Sequence, residues 1–63
     1  TVYGMVIKNN NFSEDDIKIL ECMCFNSNNK ECGKKISDNN WFFWDNYDML
    51  NSFAKKNNIE LLK

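Results

Sequence analysis

Three thiols, nine carboxylates, eight lysines and one run of four aromatic residues are the chemically useful side chains of this 63-residue chain, and histidine is absent. Cys22, Cys24 and Cys32, with Glu21 or Glu31 as a fourth donor, invite a zinc reading. A structural zinc site needs four converging donors. Residues two apart on a helix point about 200° apart, so Cys22 and Cys24 share one ion only if the helix has already ended. No fourth cysteine completes the set. The expected roles are therefore ordinary: Cys24 and Cys32 as small buried hydrophobes, Cys22 as an exposed free thiol, with no metal and no cofactor.

Catalysis fares no better. A nucleophilic cysteine wants a neighbouring base to lower its pKa, and no histidine supplies one. Glu14, Asp15 and Asp16 are placed as helix-start charges, and Asp45 as a helix cap. With Gly4 and Gly33 as the only glycines there is no phosphate-cradling loop. The expectation is a non-enzyme with no catalytic residues and no small-molecule substrate.

The aromatic run Trp41-Phe42-Phe43-Trp44 is the most informative feature. It is far too short to span a bilayer. As an extended strand it presents apolar side chains on both faces, and in a two-layer fold helices cover only one of them. One of the pairs Trp41/Phe43 and Phe42/Trp44 is then left without intramolecular cover, beside a first-strand residue such as Tyr3 or Met5. Exposed apolar patches of this kind mark contact sites. The candidate partner-binding set is Tyr3, Met5, Trp41, Phe42, Phe43 and Trp44, serving a non-catalytic protein-binding module that uses its sheet face or an edge strand.

Two other uses of the same strand are a structural homodimer and a single-stranded nucleic-acid platform, since RNA-recognition sandwiches stack bases on strands one and three. Lys34, Lys35, Lys55 and Lys56 would then hold phosphates. Against the latter stand a net charge of −1, the absence of Arg and the absence of a glycine-and-aromatic RNA-binding pattern in 41–44. Nucleic acid is thus a disfavoured partner, and a host protein complex or a second copy the favoured one.

The elements that must position these residues follow from pattern. Residues 2–7 are β-branched, aromatic or flexible, with apolar side chains on both faces, and predict a central strand. Ser13 is a good N-cap, with Phe12 and Ile17 spaced as a hydrophobic staple. Ile17, Leu20, Met23 and Cys24 follow helical spacing, and the helix is expected to end near 25–27. Residues 30–37 predict a lysine-protected edge strand with Gly33 available for a bulge. A hairpin loop at 37–40 leads into 41–44. From an Asp45 cap, Tyr47, Leu50, Phe53 and Ala54 form a second helical stripe with Met49 beside it. Asn57 or Asn58 suits a left-handed cap, and residues 59–62 form a last strand.

The order βαββαβ, with right-handed crossovers, predicts an α+β ferredoxin-like two-layer sandwich spanning 1–63 as a single domain. Its antiparallel sheet has strand order 4-1-3-2, with both helices on one face. The rival is a helix over 38–57, which would point four consecutive aromatics around most of its circumference.

A chain this short buries only about 60% of its unfolded surface, so function must share residues with the core. Twelve Asn and eight Lys, with no Arg, Pro or Gln, suggest AT-rich coding. That bias fits a phage or mobile-element accessory protein, for instance an anti-defence inhibitor of a host complex. Thr1 suits a start whose initiator Met was removed, so a whole short protein is expected. An odd cysteine count and no export signal predict a cytoplasmic location and no membrane.

Overall fold

The computed structural model describes residues 4–62. Its elements run β1 (Met5–Lys8), α1 (Glu14–Met23), β2 (Gly33–Ser37), β3 (Asn40–Phe43), α2 (Tyr47–Lys56) and β4 (Leu61–Leu62). The four strands form one sheet in the order β2-β3-β1-β4, antiparallel throughout. This is the expected α+β arrangement, compatible with a ferredoxin-like two-layer sandwich. The two strands with apolar side chains on both faces lie in the middle, and the lysine-bearing strand lies at an edge. Residues 40–43 are extended, so the rival helix over 38–57 does not form.

Helix α1 starts as its residues require. The Ser13 hydroxyl accepts the Asp16 backbone N–H at 3.1 Å. Glu14, Asp15 and Asp16 fill the first turn, where carboxylates complement the positive end of the helix dipole. Phe12 is buried and Ile17 packs against the same core, as a staple would. The helix stops at Met23, earlier than expected, because the chain turns at once into a small two-stranded ribbon. Phe25 bridges Glu31, the Cys32 N–H donates to the Cys24 carbonyl, and Asn29 takes a left-handed φ of 61°.

Helix α2 departs from expectation at its start. Its N-cap is Asn46 in the left-handed region, without a side-chain cap, rather than Asp45. The Asp45 carboxylate instead accepts the Asn46 N–H at 2.8 Å, and the Asn46 side-chain amide donates to the Met23 carbonyl at 3.0 Å. The start of α2 is thereby tied to the end of α1, a tertiary contact that outweighs local capping preference. At the other end Asn58 takes the left-handed turn, with φ 57°. The bulge in β2 falls between Lys35 and Ser37 rather than at Gly33. Gly33 is needed for another reason: a Cβ there would collide with the Phe43 ring, which lies across it.

The core lies between the sheet and the two helices. Ile7, Trp41 and Phe43 contribute from the sheet, Leu20 and Met23 from α1, and Leu50, Phe53 and Ala54 from α2. Both helices therefore cover the same face of the sheet. No helix among the described residues is long and apolar enough to cross a membrane.

Candidate interaction surface

Strand alternation places Met5, Ile7, Trp41 and Phe43 toward the helices, with Met5 opposite Phe43 and Ile7 opposite Trp41. The outward set is read from the same pairings. Lys34 is opposite Phe42, Phe42 opposite Val6, and Val6 opposite Leu62, so one transverse row crosses the whole sheet on the face away from the helices. On one side of it lies the pair Lys8 and Asn40. On the other lies Trp44, whose ring centroid is 6.1 Å from that of Phe42, the planes tilted by 40°. The face away from the helices is thus an apolar band of Trp44, Phe42 and Val6, each partly buried, and exposed Leu62, bordered by two lysines.

Phe42 lies over Gly4, where a Cβ would collide with its ring. The missing side chain lets the ring cover the strand, and Phe42 remains only half-buried.

Trp44 is held differently. Its backbone N–H donates to the Cys32 carbonyl at 2.8 Å, which extends the β2–β3 ladder by one residue beyond Gly33 and Phe43. Cys32 and Trp44 therefore share the outward face. The indole N–H reaches back across β2 to the Glu31 carbonyl, at 3.2 Å. Cys32 is 1% exposed yet lies outside the core cluster. The Trp44 indole, bonded to the adjoining Glu31 carbonyl, is anchored beside it.

Of the thiols, Cys22 is exposed, while Cys24, in the core at the end of α1, and Cys32, whose backbone N–H donates to the Cys24 carbonyl, are both buried. Burial pushes the Cys24 thiol above its ordinary pKa, with the nearby Glu21 and Glu31 carboxylates and Cys32 adding to the effect. It is held as the neutral, poorly nucleophilic form. Among the described residues no three Cys, Asp or Glu side chains are brought together for a metal ion.

Of the sequence-derived candidates, Phe42 and Trp44 lie on the uncovered face. Trp41 and Phe43, 2% and 0% exposed, are core residues, and Met5 packs against that core. These three face the helices, Trp41 and Phe43 buried in the core and Met5 partly buried against it. Tyr3 lies outside the described residues. Val6, Leu62, Lys8 and Lys34 were not among the candidates. Lys8 carried the missing signal: a lysine in β1 must point away from the core, which assigns Val6 to the same outward face two residues earlier. Pairing then carries that assignment to Phe42.

A second apolar surface lies on the helix layer, a shallow groove lined by Lys18, Ile19, Cys22, Met23 and Met49. Neither protein-family models, nor curated proteins, nor solved structures give a match to this chain.

Proposed function

We propose that this chain is a non-catalytic protein-binding module that docks through the open face of its sheet, with Trp44 and Phe42 as anchors and Val6 and Leu62 completing the apolar floor. The observation that carries this reading is the transverse row Phe42–Val6–Leu62 with Trp44 beside it, apolar on a face without helices. Large aromatic anchors supply most of the affinity where contacts are few, because each displaces much water at little entropic cost. A phage-type or mobile-element inhibitor of a host complex would use such a surface, and the biased composition motivates that origin.

The test is affinity capture from a host lysate with wild type, a Phe42→Ser/Trp44→Ala pair and a Met49→Ser control on the helix layer. A partner retained by wild type and the control but lost by the pair supports the reading. Equal capture by all three places the interface elsewhere.

A further inference from the structure

The outward face carries a charge asymmetry as well as an apolar band. Its in-strand outward positions include Lys34 at one end of the transverse row and Lys8 one row further on, and no carboxylate. Among the described residues the ion pair within 4 Å joins Lys35 to Asp38, so no described carboxylate neutralises Lys8 or Lys34 by direct contact. One carboxylate stands at the margin of this face: Glu60 shares a shallow groove with Lys8 and Leu62. Lys34, beside Phe42 and away from that groove, is the dominant cation.

Two consequences follow. A second copy is the poorer occupant, because it brings the same outward lysines and no in-strand acid to meet them. A better occupant brings the opposite charge. Resting on the docking reading above, we infer that the open face receives a different protein, through an apolar segment flanked by carboxylates, with Lys34 selecting for them. Strand spacing and residue rise put the Lys34 and Lys8 backbones about 12 Å apart, diagonally across the band. An extended segment with acidic residues four apart spans about 13 Å and keeps both on one side, leaving the one apolar residue between them on that side for Phe42.

The test uses the full chain and fluorescently labelled synthetic peptides with one apolar centre and flanks of Glu, Gln or Lys four residues apart. Anisotropy is measured at low and high salt. Expected is binding of the Glu peptide about tenfold more tightly than the Lys peptide at low salt, a gap that narrows as salt screens the charges. Lys34→Glu should reverse the order and Lys34→Gln should abolish the preference. Both changes are at an exposed edge-strand position, and circular dichroism checks their folding. If the Gln peptide binds as well as the Glu peptide and is lost on Trp44→Ala, docking stands and charge selection is overturned. Retention of the Glu preference in Lys34→Glu overturns it equally. Binding of none of the peptides at millimolar concentration overturns docking and selection together. Tighter binding of an oligo-thymidine than of the Glu peptide replaces the protein partner with a single-stranded nucleic acid.

Discussion

Removing the Trp44 indole should expose a thiol that the fold otherwise hides. If the Trp44 ring is the lid over Cys32, that lid is held by the indole N–H to the Glu31 carbonyl at 3.2 Å and by the Phe42 ring, its centroid 6.1 Å away. A net hydrogen bond contributes about 1 kcal/mol, and an aromatic pair about 1 kcal/mol beyond its buried area. Opening the lid locally therefore costs about 2 kcal/mol, which at 1.4 kcal/mol per tenfold leaves Cys32 uncovered about one-thirtieth of the time. Trp44→Ala should raise the alkylation rate of Cys32 about 30-fold, approaching that of exposed Cys22. Timed iodoacetamide labelling, quenched and resolved by peptide mass spectrometry, reports all three cysteines in one sample. Cys24, buried in the core, is the internal standard: if its rate rises in parallel, the whole fold has loosened, so the Cys32 to Cys24 ratio is the quantity read. Trp44→Phe keeps a ring without the N–H and should fall between the two. A Cys32 rate unchanged in Trp44→Ala, or already equal to that of Cys22 in the wild type, would refute the lid.

Three further outcomes are expected. Gly4→Ala drives a methyl into the Phe42 ring and should cost about 1–3 kcal/mol, read by urea unfolding, with weaker docking on the same face. Trp41→Phe removes a buried indole N–H that has no acceptor among the described residues. Relief of that unpaired donor, worth about 1–3 kcal/mol, offsets the lost ring area, so the net destabilisation should stay below about 1.5 kcal/mol; a loss above about 3 kcal/mol would show that the N–H is satisfied. Because the folded-state pKa of Cys24 is raised, first by burial and then by Glu21, Glu31 and Cys32, its neutral thiol favours the fold at lower pH. That contribution is lost as pH rises from the ordinary thiol value of 9.0 through the folded-state value, since the unfolded chain releases the proton first. Cys24→Ala should therefore lose less stability than wild type over that alkaline range, measured by unfolding at several pH values.

Much of the architecture was legible in the residues because it rests on local rules. Ser13 and the Phe12/Ile17 staple mark where α1 begins, period-2 patterns with apolar side chains on both faces mark β1 and β3 as central, and lysines mark β2 as an edge. Those signals need no distant partner; the strand order followed from the element order with right-handed crossovers, and the strand compositions agree with it. The helix ends were less legible, because tertiary contacts overrode them: the Phe25–Glu31 ribbon cut α1 short, and the Asn46 to Met23 bond displaced Asp45 from its cap.

The surface is where the sequence by itself ran out. Alternation separates Trp41/Phe43 from Phe42/Trp44 but is indifferent to which pair turns inward, since both are aromatic and either could line a core. Only pairing with β1 decides it: Ile7 lies opposite Trp41 in the core, while Lys8 and Val6 fall outward with Phe42. The seat of the Trp44 ring depends on three segments meeting, the 31–32 backbone, Trp44 and Phe42, and no spacing along the chain encodes that meeting. Composition and periodicity determined that an apolar pair would be left over on an antiparallel sheet. The register between strands distant in sequence decided which pair it is, because a shift of one residue sends every side chain to the opposite face.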